Sequence, residues 1–217
     1  MTGCEHLKKD SRLSEGVIEY EVSYPKMDPS SLLIELLPTK MTMHFRDDEF
    51  MTDLAAGFGM FRMNVISNGD DKEMSQMVKL IKERYVVVYD EAAARKSNEH
   101  MPAITIEQTS NVKKIAGYEC KEAIVHVQNA ENETYKIYYT DKIRLKAPNW
   151  FTQFTDIEGV LMEYQVERYN LCSKFVASKV LQQEVEDNLF EVPEGYKRIT
   201  EDEMNEKMQE IFNNFSE

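Results

Sequence analysis

Apolar and polar residues alternate along most of the chain, and a period of two is the pattern of β-strands that bury one face. Near the amino terminus, Ile18, Tyr20 and Val22 alternate with Glu19 and Glu21. β-Branched and aromatic residues, which favour strands, are frequent in the segments that share this pattern. These segments are 16–24, 41–46, 61–65, 73–81, 84–89, 115–120, 123–127, 135–139, 160–169 and 175–185.

Short turns join the predicted strands in order along the chain. Asn68–Asp71 is a turn sequence between two strands, and residues 128–132 return the chain between two later strands. The sequence lacks the strand–helix alternation of a doubly wound sheet. We therefore expect a mainly β fold, a strongly curved antiparallel sheet that forms an open barrel of about ten or eleven strands.

Two helices are expected to complete this barrel. Asp28 is a candidate N-cap and Pro29 suits the first helical position, so a helix is predicted over residues 32–37. Its residues are apolar on most sides, which predicts a buried plug helix in the concavity of the sheet. Thr200 and Glu203 form a capping box that begins a C-terminal helix, predicted over 201–215. An apolar stripe on this helix is predicted from Met204, Met208, Ile211 and Phe215.

The chain is expected to form a single domain. Residues 1–14 are polar and predict a flexible tether, and residues 15–217 contain no segment that would divide a β domain with its C-terminal helix. A shorter polar helical turn is indicated near Asp90. No run of about 18 apolar residues occurs, so the sequence predicts no membrane-spanning helix.

The charge of the chain limits the classes of partner. The 217 residues include 26 basic and 39 acidic side chains, a formal net charge of −13. Binding to phosphate backbones requires a basic face, so we expect no nucleic-acid partner. The same charge disfavours anionic head groups, so a lipid would be contacted through its tail.

The inner face of the predicted sheet is rich in methionine, of which the chain has 13. Methionine is flexible and polarisable, which suits a surface that accepts varied apolar ligands. The alternative is that these side chains only fill an irregular core. The residues predicted to line a ligand cavity are Leu33, Ile34, Leu37, Met41, Met43, Phe45, Phe61, Met63 and Trp150.

Trp150 lies in an aromatic loop, residues 148–154, between predicted strands. Such a cluster suits the mouth of a cavity or a partner surface. A loop that folds back over the core accounts for it equally well.

Residues that carry catalysis or bind metals are sparse. The four histidines, His6, His44, His100 and His126, lack the spacing of zinc ligands. Acidic groups at 47–49 and 70–71 suit either calcium or solvated turns, and the spaced calcium-loop pattern is absent. We find no nucleophile paired with a base, and therefore expect a protein that is not an enzyme and uses no cofactor or metal.

The cysteines bear on the cellular compartment of the protein. Cys4 follows the small residues Thr2 and Gly3, which predicts lipidation at Cys4 and a periplasmic protein anchored to the membrane through its lipid. The alternative is an ordinary residue near a chain end of a cytoplasmic protein. Cys120 and Cys172 could pair in an oxidising compartment or remain as free buried thiols.

Several segments resemble a family of periplasmic lipoproteins of unknown function. The segments are Glu15–Tyr20, Lys114–Ala123, Tyr138–Asp141 and Leu189–Tyr196, and the resemblance covers about residues 15–200. That family is similar in fold to the lipoprotein carriers and receptors of the bacterial periplasm and outer membrane. The resemblance implies an open β-barrel, closed by helices, that holds acyl chains.

Two functional hypotheses follow. The first is a non-enzymatic periplasmic lipoprotein that binds an apolar ligand, an acyl chain or a lipoprotein, in the concave face of its sheet. The second is an envelope scaffold for protein–protein interaction, in which side chains fill the concavity and no ligand binds.

Overall fold

One twelve-stranded sheet makes up most of the computed structural model, which describes residues 11–59, 61–99, 101–129, 131–169 and 171–214. The side chains of residues 32, 33, 58 and 211–214 lie outside the described part. The strands are β1 (Glu15–Ser23), β2 (Lys40–Arg46), β3 (Glu49–Ala56), β4 (Phe61–Asn68), β5 (Glu73–Leu80), β6 (Glu83–Tyr89), β7 (Ile104–Ile115), β8 (Tyr118–Val127), β9 (Thr134–Thr140), β10 (Val160–Arg168), β11 (Leu171–Leu181) and β12 (Lys197–Arg198). The helices are α1 (Glu91–Asn98) and α2 (Glu201–Asn214).

The strand order shows how the two halves of the chain meet. Across the sheet it runs β12-β6-β5-β4-β3-β2-β1-β11-β10-β9-β8-β7. Hairpins lead outward from β1 to β6, and then from β7 back to β11, which pairs with β1. All pairings between the long strands are antiparallel, and β12 adds to β6 in parallel.

The connection from β6 to β7 requires the sheet to curve. These strands are ten strand spacings apart, which is about 48 Å in a flat sheet. Residues 90–103 join them, and eight of these residues form α1. Because a helix rises only 1.5 Å per residue, this connection spans at most about 36 Å. The two halves of the sheet must therefore bend towards each other.

The predicted fold class is confirmed. The sheet is mainly antiparallel, it is not closed into a barrel, and a C-terminal helix follows it. The sheet has twelve strands and not ten or eleven. No predicted segment covers β3, residues 104–114 of β7, or the short β12 on the β6 edge, whereas the predicted segments 115–120 and 123–127 both overlap β8.

The segment predicted as the plug helix differs from the expectation. Residues Leu32–Leu36 form a five-residue 3-10 helix, and Leu36 is 47% exposed. Asp28 Oδ1 accepts a hydrogen bond from the Ser30 amide at 2.9 Å, so the residue predicted as N-cap closes a local turn. Pro38 disfavours helical geometry at Leu37, so no second turn forms. Leu37, which follows the 3-10 helix, is buried.

The helices that fill the concavity are α1 and α2. The Asp90 side chain caps α1 by accepting from the Ala93 amide at 2.8 Å. The capping box of α2 is present, since the Glu203 amide donates to Thr200 Oγ1 at 3.2 Å. Met204 and Met208 are 0% and 1% exposed and pack on the inner face of β5 and β6. Ile211 and Phe215, the other residues of that apolar stripe, are not among the described side chains.

The segment between β11 and β12 covers the opposite, convex face. Leu189, Phe190 and Tyr196 pack on buried residues of β3–β6. These residues are Met51, Ile66, Met77 and Val86. The chain therefore passes around the β6 edge, from the convex face to the concave face that α2 covers.

The last residues of the predicted tether contact the domain. The Asp47 amide donates to the Ser14 carbonyl at 2.7 Å, and the Arg144 amide donates to the Leu13 carbonyl at 2.7 Å. Residues 11–14 are thus attached to the domain, and residues 1–10, with Cys4, lie outside the described part.

A buried carboxylate holds the edge strand β7. The pairing of β7 with β8 is irregular between residues 108 and 112, and Glu122 of β8 is 4% exposed beneath this irregularity. Hydrogen bonds to its carboxylate, first from Asn111 and then from Lys136 and Tyr138, lower its pKa from 4.5 to about 2. Its donors, with their distances to a carboxylate oxygen, are Thr109 Oγ1 (3.1 Å), Asn111 Nδ2 (2.9 Å), Lys136 Nζ (3.0 Å) and Tyr138 OH (2.8 Å).

We expect the free energy of unfolding of Glu122→Gln to fall less steeply at low pH than that of the wild type. A carboxyl whose pKa is lower in the folded state stabilises the fold above its unfolded pKa, and this stabilisation is lost as pH falls from about 4.5 towards 2. Urea unfolding at a series of pH values measures the slope. The matched control is Glu73→Gln, at an exposed position of β5. Parallel curves for wild type and Glu122→Gln would contradict this assignment.

Candidate functional site

A cavity of about 300 Å³ lies between the concave face of the sheet and three segments that cover it. We call these segments the cover: α1, residues 148–154 and the first two turns of α2. The walls come from β1–β5, β10 and β11. The cavity thus joins strands that precede the β6–β7 connection with strands that follow it.

The apolar wall faces empty space at several positions. Phe61, Met63 and Val65 point inward from β4 and line the cavity, yet each is only half-buried. Phe45, on the inner face of β2, is 0% exposed because it packs within the core. The incomplete burial of the β4 row marks the part of the concavity that side chains do not fill.

The loop of residues 141–159 covers one end of the curved sheet. Ion pairs join this loop to two hairpin tips, Arg144 to Asp47 and Lys146 to Asp70. At the opposite strand ends, the cavity is lined by Leu37, Leu54, Phe61 and Leu171. Leu54, Phe61 and Leu171 remain half-buried, and we infer that the mouth is at this end.

Two of the tyrosines that line the cavity, Tyr20 and Tyr24, donate their hydroxyls to backbone carbonyls. Tyr20 donates to the Leu161 carbonyl at 2.9 Å, beside the irregular pairing of β9 with β10. Tyr24 donates to the Pro38 carbonyl at 2.7 Å. Burial raises the pKa of both hydroxyls, so both stay protonated. Their rings therefore present apolar surface to the cavity.

Side-chain amides hold the cover in place. Asn149 Nδ2 donates to the carbonyls of Ile157 at 2.8 Å and Gly159 at 2.9 Å. Asn98 Nδ2 of α1 donates to the Phe151 carbonyl at 3.1 Å. These bonds tie residues 148–154 both to their own loop and to α1.

Trp150 belongs to the core of the closed end. It is 9% exposed, and its Nε1 donates to Ser67 Oγ of β4 at 2.9 Å. Its ring meets the ring of Phe151 edge to face, with centroids 5.5 Å apart. Phe151 lines the cavity and Trp150 does not. The loop therefore folds back over the core, which was the second of the two interpretations of Trp150.

The structure brings some of the predicted lining residues together and not others. Ile34, Phe45 and Trp150 are not on the cavity wall, and the Leu33 side chain is outside the described part. Ile34 belongs to the short 3-10 helix, and Leu37, which follows this helix, lines the cavity. The predicted residues that do line the cavity are Leu37, Met41, Met43, Phe61 and Met63.

Sequence reasoning missed several residues of the wall. Met74 continues the inner alternation of β5, and Met208 lies on the predicted apolar stripe of α2, so both were readable as inward-facing. Arg168 ends the inward row that Tyr164 and Val166 begin on β10. The alternation of β10 therefore predicts that this cation faces inward, although a charged residue is not expected on an apolar face.

Arg168 is the one charged side chain among the described residues that line the cavity. Its Nη2 lies 3.3 Å from Ser97 Oγ and 3.4 Å from Asn205 Oδ1. Its guanidinium also lies 5.2 Å from the ring centroid of Tyr169. The polar part of the wall thus lies where α1 and α2 meet the end of β10.

The open question of the two cysteines is answered for this fold. Cys120 of β8 and Cys172 of β11 are buried free thiols. Their strands are three spacings apart, about 14 Å along the sheet, which exceeds the separation that a disulfide bridges.

The described residues show neither a metal cluster nor a membrane-spanning helix. Within the described ranges, no group of three or more His, Cys, Asp or Glu side chains could hold a metal ion. Among the described residues, no helix has the length and apolar character needed to cross a membrane.

Comparisons with known proteins place this chain in no family. No protein-family model matches the sequence, and no curated protein matches it. Indications of function therefore come from the cavity.

Proposed function

We propose that the protein binds a single-chain apolar ligand, such as an acyl chain, in the cavity, and does not convert it. The observation that carries this proposal is an apolar cavity of about 300 Å³ beneath a hydrogen-bonded cover. Cavities that bind small molecules start at about this volume and combine apolar walls with a few polar groups. A single chain fits such a volume better than a lipid with two chains.

The methionines of the wall support a ligand of variable shape. Unbranched thioether side chains adjust to irregular partners at low cost, and this makes methionine common on surfaces that accept several apolar ligands. The lining methionines are Met41, Met43, Met63, Met74, Met101 and Met208.

The chemistry of the wall favours binding over catalysis. Among the described residues that line the cavity, no Asp, Glu, His, Lys or Cys occurs. The Ser, Thr and Tyr hydroxyls of the wall would need a neighbouring base or a lowered pKa to act in catalysis, and no carboxylate, imidazole or amine among the described lining residues supplies one. A ligand in this cavity would meet apolar side chains, amides, hydroxyls and one guanidinium.

The cavity also bears on the alternative of a scaffold without a ligand. That hypothesis expects side chains to fill the concavity, whereas the inner row of β4 is half-buried. Lipidation of Cys4, the periplasmic location and the likeness to lipoprotein carriers stay predictions, and the binding proposal does not depend on them.

We expect Met63→Trp to block the cavity. The larger side chain would occupy the space in front of β4, and affinity for the neutral fluorophore N-phenyl-1-naphthylamine should fall by about tenfold or more, or about 1.4 kcal/mol. Fluorescence titration measures this. The matched control is Val112→Trp, at a position 60% exposed on β7, which should bind like wild type.

Two results would contradict the proposal. One is the absence of saturable binding to the wild-type protein. The other is undiminished binding to Met63→Trp when its thermal unfolding shows an intact fold, because the probe would then occupy another surface.

We expect Asn149→Ala to loosen the cover. The substitution leaves the carbonyls of Ile157 and Gly159 without their donor, which should lower the free energy of unfolding by about 1–3 kcal/mol. Ligand dissociation should accelerate more than association, and stopped-flow fluorescence separates the two rates. Thr155→Ala, at an exposed position of the same loop, is the control. An unchanged dissociation rate in Asn149→Ala would show that the cover does not retain the ligand.

A further inference from the structure

The charge inside the cavity is opposite in sign to that of the protein. The chain carries a net charge of −13, yet the only charged side chain among the described lining residues is Arg168. Holding a cation in an apolar cavity is unfavourable unless a partner compensates it. Arg168 is half-buried at the end of β10, close in sequence to Leu171 at the inferred mouth, where the head group of a ligand would lie.

The protein compensates Arg168 only weakly. Its contacts to Ser97 Oγ and Asn205 Oδ1, at 3.3 and 3.4 Å, are longer than the usual 2.7–3.2 Å of such hydrogen bonds. Asn205 Oδ1 also accepts from the Tyr169 hydroxyl at 2.9 Å, so the guanidinium shares this acceptor. Within the described part of the chain, Arg168 has no carboxylate partner within 4.0 Å. The hydroxyls of Tyr89 and Tyr169 also lie within hydrogen-bonding reach of the guanidinium. All of these partners are neutral, whereas an oxyanion would accept two parallel hydrogen bonds and supply the opposite charge.

An amide on the same wall adds further donors. Gln76 is 4% exposed and lines the cavity. Its Oε1 accepts from the Tyr89 hydroxyl at 3.3 Å, whereas its Nε2 has only the weak acceptor Met63 Sδ, at 3.9 Å. Arg168 lies close enough to Tyr89 to lower its pKa, against the larger effect of burial, which raises it. Tyr89 thus connects the two donor groups.

Glu201 is the acidic group nearest to this cluster on α2. Burial raises the pKa of Tyr89, and the negative charge of Glu201 raises it further. Glu201 lies one helical turn before Asn205. Glu201 does not line the cavity, whereas Met208, further along the same helix, does. Oε1 of its carboxylate is buried without a hydrogen-bond partner, and no ion pair joins Glu201 to Arg168 among the described residues.

We propose that the ligand is a single-chain amphiphile with an oxyanion head, a carboxylate or a phosphate, which binds to Arg168 and Gln76 while the tail lies among the methionines. This inference rests on the proposed function and names the class of ligand. It also revises the expectation that the acidic protein would contact only the tail of a lipid, because a local cation outweighs distant charges in an apolar cavity.

The test compares three ligands with the same tail: dodecanoate, dodecyl phosphate and dodecan-1-ol. Each is titrated by displacement of N-phenyl-1-naphthylamine, below its micelle concentration, from wild type, Arg168→Gln and Arg62→Gln. Arg62 is an exposed partner of Asp53 on the sheet, so its substitution removes an equal charge outside the cavity. The preference for dodecanoate over dodecyl phosphate distinguishes the two kinds of head.

We expect wild type and Arg62→Gln to bind at least one oxyanion ligand about tenfold or more tightly than the alcohol. Arg168→Gln should bind all three within about threefold of each other. Equal affinities in wild type would overturn the inference and leave the proposed function intact. Failure of all three ligands, together with the fluorophore, to bind wild type would overturn both.

A second measurement uses wild type alone, in case Arg168→Gln fails to fold. The carboxyl carbon of ¹³C-labelled dodecanoate reports its own titration by NMR. A neighbouring guanidinium should lower the pKa of the bound carboxyl below that of the monomeric ligand in water. An unchanged or raised pKa in the complex would overturn the assignment of Arg168 as its partner.

Discussion

The fold depends on one constraint of chain connectivity, the short link between the two edges of the sheet. Residues 90–103 join β6 to β7, which lie ten strand spacings apart in the strand order. A link of this length cannot cross a flat sheet, so the sheet must bend until its edges approach. The pairing of β1 with β11 completes the sheet at its centre. Curvature is thus a consequence of topology, and the helix within the link is carried onto the concave face.

The cavity follows from this curvature. A strongly bent sheet of twelve strands encloses more space than its own side chains fill. α1, α2 and residues 148–154 cover much of that space, and the amides of Asn98 and Asn149 fix part of this cover. The half-buried row of Phe61, Met63 and Val65 marks what remains open. The polar cluster around Arg168 lies where the two helices meet β10, and it gives an otherwise apolar cavity a defined orientation for a ligand.

Local patterns were sufficient to predict most of the sheet. The alternation at Ile18, Tyr20 and Val22 placed these residues on the inner face, and the capping box at Thr200 placed the start of α2. The segment at 32–37 shows the limit of such reasoning. Its apolar composition predicted burial, but the local turn at Asp28 and the proline at 38 leave room for only a short 3-10 helix.

The sequence alone did not predict which distant segments of the chain contact each other. Trp150 donates to Ser67, which is 83 residues away, and no local pattern predicts such a contact. The covering of the concavity by α1 likewise follows from the edge-to-edge link, since the sequence of a strand does not specify its neighbour. Arg168 was different, because its inward position follows from the alternation of β10, although the chemistry it brings depends on the other side chains of the wall.

The methionines offer the most direct measurement of the central claim, that the concave cavity holds an apolar chain. In a protein labelled with ¹³C at the methionine methyl groups, added dodecan-1-ol should shift the signals of Met41, Met43, Met63 and Met74, which line the cavity. The signals of Met51 and Met77, on the convex face, should stay in place. Unmoved signals from the cavity methionines, or shifts confined to Met51 and Met77, would contradict the account.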